Sequence, residues 1–118
     1  MKRARVVKAL LEAGLFDWVS LHDVVWFCAG GSINPETKQE VLDVLKALYS
    51  DELMVPGDLA ESGFEDWNPP SSAWVLRSEI ELDRLAWSPM GDGFWLRLAP
   101  DGEQIARQSD AGGIDDSG

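Results

Sequence analysis

Residues 34–50, NPETKQEVLDVLKALYS, admit one local structure. Asn34 is a strong N-cap, and Pro35 follows at the first helical position, where its missing amide hydrogen leaves nothing unsatisfied. Val41, Val44, Leu45 and Leu48 then recur at i, i+3, i+4 and i+7, with Glu36, Gln39, Asp43, Lys46 and Ser50 on the opposite face. A helix with one apolar stripe must bury it against other elements, so the flanking segments decide the fold.

Upstream, Val6, Val7, Leu10 and Leu11 predict a helix over residues 3–13, with Gly14 placed for a left-handed C-terminal cap. In LFDWVSLHDVVWFCAGG, Ser20 and Asp23 are spaced for reciprocal capping and Val19 can staple onto Val24. The second helix therefore starts near Leu21 and ends at Gly30 and Gly31. Downstream, ELMVPGDL reads as a short strand closed by Pro56 and Gly57, and FWLRLA at 94–99 as its partner. The stretch FWLRLAPDGEQIAR continues from that strand through a turn into a closing helix. The predicted class is α+β: a mainly helical domain over residues 1–107 with a small antiparallel sheet of two or three strands.

Between the strands lies an insertion, residues 60–93, far longer than a hairpin loop and therefore expected to carry structure of its own. Pro69, Pro70, Ser71 and Ser72 form a helix-start signal. One reading is a long helix from Ala73 to Trp87 with two apolar stripes: Ala73, Leu76, Ile80 and Trp87 on one side, Trp74, Leu82 and Leu85 on another. The other makes Ala73 to Arg77 a strand and starts a shorter helix at Ser78, because SEIE is also a capping-box pattern. Residues 108–118, rich in Gly, Ser and Asp, are expected to form a flexible tail.

Charge bounds the function. The chain of 118 residues carries a formal net charge of -11, yet Lys2, Arg3, Arg5 and Lys8 make the first ten residues +4, leaving 6 basic against 21 acidic residues elsewhere, or -15. Such a field repels phosphate and favours a basic protein partner. No apolar run approaches a membrane span, a single cysteine permits no internal disulfide, and the basic N-terminus lacks the apolar core of a signal peptide, so a cytoplasmic location is expected.

The order of three helices, a strand, a second strand and a closing helix resembles the winged helix-turn-helix superfamily, with 20–31 as positioning helix and 34–50 as recognition-type helix. The phrase LRLAPDGEQIA is similar to one in many bacterial regulators, where a second wing strand is followed by Thr, Pro, an acidic residue and Gly. Leu98, Pro100, Asp101 and Gly102 match, and Ala99 stands in place of the Thr. The resemblance implies a DNA reader, but residues 35–50 hold two lysines, Lys38 and Lys46, against Glu36, Glu40 and Asp43. DNA binding through that helix is disfavoured.

No catalytic, metal or cofactor constellation emerges. His22 is the only histidine and has no second His or Cys to complete a site, and Cys28, beside Trp26, Phe27 and Ala29, reads as an inert buried thiol. The carboxylate clusters Glu65 and Asp66, Glu79 to Asp83, and Asp115 and Asp116 read as solvated charge. Trp18, Trp26 and Trp95 are assigned to the core. Trp67, Trp74 and Trp87, in the insertion, either fill space around it or, with Glu79, Glu81 and Asp83, anchor a partner. The expected function is a non-enzymatic acidic module binding a basic protein, in the manner of an immunity or antitoxin-like inhibitor of a nucleic-acid-directed effector. The alternative is a DNA-binding regulator using the third helix and the N-terminal cations. A homodimer is compatible with either, since the basic N-terminus can pair with the acidic body of a second copy.

Overall fold

A computed structural model describes residues 2–30, 32–67, 71–88 and 93–117, with the side chains of residues 2, 3 and 109–117 excepted. Gly31, Pro69, Pro70 and Asp92 lie outside the described residues, as do the side chains of Lys2, Arg3, Asp115 and Asp116.

The elements run α1 (Lys2–Gly14), β1 (Val19–Ser20), α2 (Leu21–Ala29), α3 (Pro35–Ser50), β2 (Met54–Ala60), β3 (Gly63–Asp66), a 3-10 turn (Ser71–Ala73), α4 (Trp74–Arg84), β4 (Trp95–Leu98) and α5 (Pro100–Ser117). The class is α+β. Local signals set the helix starts. Asn34 accepts from the Thr37 amide at 3.0 Å while the Thr37 hydroxyl accepts from the Asn34 amide at 2.9 Å, a reciprocal cap. Ser20 accepts from the Asp23 amide at 3.1 Å, and Gly30 closes α2 at φ 61°.

Gly14 differs from expectation. It does not adopt a left-handed conformation; it is small because a Cβ there would sit 2.8 Å from Leu98 Cγ and 3.2 Å from Met54 Cε, where α1 crosses the sheet. Gly102 of the LRLAPDGEQIA phrase has the same kind of reason, since a Cβ would collide with the Leu53 carbonyl. That carbonyl already accepts from the Ala99 amide at 2.9 Å, so the starts of β2 and α5 are locked together.

The sheet has four antiparallel strands in the order β1-β4-β2-β3, rather than two or three. The expected pairing of β2 with β4 is present, from Met54 opposite Leu98 to Gly57 opposite Trp95. Val19 and Ser20 extend the sheet beyond β4, and Gly63–Asp66 folds back on β2. Val19, Leu96, Pro56 and Met54 face the helices and are buried; Val55, Leu59, Trp95 and Arg97 alternate onto the open face. The predicted stripe of α3 is buried as assigned, joined by Tyr49, and packs with Leu10 and Leu11 of α1 and Val24, Val25 and Cys28 of α2 in one core.

The insertion contains a helix, with boundaries tighter than the long-helix reading and no strand over 73–77. Its end is a Schellman turn: the Trp87 amide donates to Leu82 O at 2.8 Å, the Ala86 amide to Asp83 O at 3.0 Å, and Ala86 takes φ 55°. The C-terminus of α3 repeats this geometry, with Leu53 donating to Leu48 O at 2.9 Å, Glu52 to Tyr49 O at 3.2 Å, and Glu52 at φ 57°. Glycine is the usual residue at both left-handed positions. Helix α5 packs on α1 and carries residues 108–117 of the segment assigned to a tail.

Two substitutions test these joints. Glu52→Gly is expected to raise unfolding free energy by about 0.5–1 kcal/mol by relieving the left-handed conformation. Gly102→Ala is expected to lower it by about 1–3 kcal/mol, because the obstacle is backbone and has no rotamer to yield. Urea denaturation of both variants measures the two signs.

Candidate partner-binding face

Helix α4 is held on α3 by one buried polar relay. Ser78 Oγ donates to Trp74 O at 2.7 Å, so the hydroxyl of Tyr49, 2.8 Å from Ser78 Oγ, must be the donor in their contact. The rings of Tyr49 and Trp74 meet edge to face at 5.6 Å. Burial pushes the Tyr49 hydroxyl pKa well up from its usual value. Leu82 is fully buried, with Val75 and Leu85 packed beside it, so Trp74, Leu82 and Leu85 form the inward stripe.

The other stripe is open. Leu76 is 62% and Ile80 59% exposed, one turn apart, with Glu79 and Asp83 on the same side of the helix. Trp87 does not join them. The helix ends at Arg84, and the turn that follows carries Trp87 back into the core at 5% exposure, its indole donating to Asp83 Oδ1 at 2.8 Å and its ring lying 5.4 Å from Lys38 Nζ.

The six residues expected at an interface thus divide. Trp67, 6% exposed, packs on Phe94 with ring centroids 4.7 Å apart and is covered by the Arg77 guanidinium at 3.9 Å. Trp74 is partly buried, and the indole nitrogens of Trp67 and Trp74 find no acceptor among the described residues. Three tryptophans therefore support the insertion from beneath. Glu81 is bonded to Arg84 on the same helix. Only Glu79 and Asp83 border the open stripe, and Glu79 has no ion-pair partner among the described residues.

Of the three tryptophans assigned to the core, two are exposed and none is fully buried. Trp26 is 55% exposed because α2 buries Leu21, Val24, Val25 and Cys28, a complete stripe that Trp26 and Phe27 miss. Trp18 is 40% exposed on the open side of the sheet, 5.5 Å from the Phe64 ring, and Trp95 is half-buried by strand alternation.

Contact with α4 also changes what α3 can offer. Tyr49 and Lys38 turn toward α4, so the remaining face presents Glu36, Gln39, Glu40, Asp43 and Lys46, and Gln39 Nε2 donates to Asp43 Oδ1 at 2.9 Å. Cys28 is buried, His22 is half-buried, and no three His, Cys, Asp or Glu residues converge for a metal ion among the described residues. No described helix is long and apolar enough to cross a membrane. No family model matches the chain, and no curated protein or solved structure is significantly similar to it.

Tyr49 is the only tyrosine, which makes the relay directly measurable. In the folded chain its ultraviolet tyrosinate signal should not appear near pH 10, the ordinary value. Because the folded pKa is raised, the stability it contributes is fully present below about pH 10 and is lost as pH rises further, as the unfolded chain ionises first. Tyr49→Phe should cost about 1–2 kcal/mol at neutral pH and weaken that alkaline loss. Leu76→Ser with Ile80→Ser should change stability by less than about 0.5 kcal/mol per site, since both side chains are exposed.

Proposed function

We propose that the chain is a winged-helix-like, non-enzymatic module that binds a basic protein through the outer face of α4. The observation that carries this reading is the Leu76 and Ile80 pair, exposed on a helix whose other side is locked to the core. An exposed apolar stripe with Glu79 and Asp83 along one edge, and with Arg77 and Arg84 on the other edge paired to Asp58 and Glu81, suits a partner that presents apolar side chains beside cations. The insertion's net charge of -5 supplies steering, and the four cations of the first ten residues lie in a different element. The fitting partner class is a basic, nucleic-acid-directed effector, which makes the module similar in character to immunity and antitoxin proteins.

The element order and the β2–β3 hairpin beside α3 support the winged-helix-like assignment. Against a conventional DNA-reading role stand the acids on the open face of α3 and the commitment of Lys38 to Trp87. Arg5 and Lys8, both exposed on α1, are what a regulator reading would use instead.

The decisive measurement is hydrogen exchange on the complex captured from the native source. New protection is expected within residues 74–84, and the Leu76→Ser, Ile80→Ser double variant should lose at least about 2 kcal/mol of binding, as hot-spot residues do. Neutralising Glu79 should slow association and flatten its salt dependence. Protection restricted to α3 and the N-terminal cations, together with submicromolar binding to duplex DNA near physiological salt, would establish the regulator instead.

A further inference from the structure

A cavity of about 500 Å³ lies where the end of α3, the start of β2, the start of α4 and the first turn of α5 meet. Its size is within the range of ligand pockets. The Trp74 and Tyr49 rings form one side, and Glu52 and Asp101 bring two carboxylates from different elements. Arg97 also lines it, but its charge is already answered: Nε and Nη2 donate to the two carboxylate oxygens of Asp66 at 2.8 and 2.7 Å, and Nη1 to Leu98 O at 3.3 Å. That pairing holds the Asp66 carboxyl below its usual range and Arg97 above its own. Glu52 and Asp101 are the acidic residues of the cavity lining, and neither has an ion-pair partner among the described residues.

We infer that this cavity is a receptor for a guanidinium or ammonium side chain, an arginine or lysine that the basic partner inserts beside Trp74 between Glu52 and Asp101. Three features carry the inference together. An aromatic ring with carboxylates around it is the environment that recognises an organic cation. The relay ties the Trp74 backbone to Tyr49, and the Tyr49 ring meets the Trp74 ring edge to face at 5.6 Å. The Glu52 backbone is pinned beside the cavity by the bonds of Glu52 N to Tyr49 O at 3.2 Å and Leu53 N to Leu48 O at 2.9 Å. The inference rests on the basic-partner reading, and the cavity opens beside the first residues of the same helix, Ser71 and Trp74.

The test uses the full chain and needs no partner. Acetyl-arginine amide titrated into 15N-labelled protein should shift the Trp74 indole signal and the Glu52 and Asp101 amides, with affinity on the order of 1 mM. The neutral citrulline analogue should bind at least about tenfold more weakly, and Glu52→Gln with Asp101→Asn should cost at least about fivefold. Glu52→Gly should bind the probe more weakly while melting at a higher temperature, which separates loss of the site from loss of the fold. Equal shifts with citrulline, or no shift at these three residues, would overturn the pocket. Shifts at Glu79 and Ile80 alone would also overturn it while leaving the α4 docking face standing, and a failed exchange result on α4 with an intact arginine response would do the reverse. Spermidine binding at least about tenfold tighter than the arginine probe would reassign the cavity to a free amine and overturn the side-chain assignment.

Discussion

The Tyr49 hydroxyl, buried between α3 and α4, is the contact on which the exposed surface of this protein depends. Its proton goes to Ser78, and Ser78 donates onward to Trp74 O, so two helices from distant parts of the chain share one satisfied polar chain in an otherwise apolar joint. A buried hydroxyl without a partner is expensive, and a relay with every donor used is specific in its geometry. It sets the rotation of α4 about its own axis. Once Ser78 faces Tyr49, Leu82 and Trp74 face inward and Leu76 and Ile80 have no side but the solvent. The same docking buries Tyr49 of α3 and leaves Lys38 half-buried against the Trp87 ring. One contact thus makes an apolar face on the insertion and withdraws a cation from the helix that a DNA reader would use.

Features written in adjacent residues were legible. Asn34 with Pro35, Ser20, and Gly30 each act within one helical turn and form the predicted caps, although Asp23 does not return the bond to Ser20 that reciprocal capping would add. The two Schellman turns at Glu52 and Ala86 were not legible, because the signal for a left-handed end is glycine and neither end has one. Strand β3 was missed for a related reason: Gly63, Phe64, Glu65 and Asp66 lack β-branched residues and alternation, and form a strand only because β2 offers an unpaired edge. Gly14 is placed for a cap in the sequence, whereas its smallness serves packing against Met54 and Leu98, about forty and about eighty residues further along the chain.

The candidate site shows the same boundary. The two stripes of α4 follow from periodicity, but which stripe is buried depends on where Ser78 finds its partner. Tryptophan size pointed the wrong way: Trp67 and Trp87, set in an acidic insertion, fill the core, while Trp18 and Trp26, on the elements nearest the N-terminus, remain exposed. An apolar residue is buried by the stripe it belongs to. Trp26 misses the stripe of α2 by one position, and Trp87 reaches the core because the helix carrying the open stripe has already ended.

Leu53 explains how the strain at Glu52 persists. Its amide is tied back to Leu48 O, its carbonyl is tied forward to the Ala99 amide, and Gly102 passes against that carbonyl too closely for any side chain. The residue before it is therefore confined between a helix end and a strand start that cannot separate, and the backbone accepts an unfavourable φ because the surroundings over-determine it. Ala86 has nearly the same φ and brings no charged group with it, so the conformation alone says nothing about function. What distinguishes Glu52 is that it lines the cavity lined also by Trp74, to which Asp101 is brought by the helix whose start Leu53 anchors. The joint that holds the fold together at this corner is also what brings two acidic residues from different elements to one cavity, the pair on which the proposed cation receptor rests.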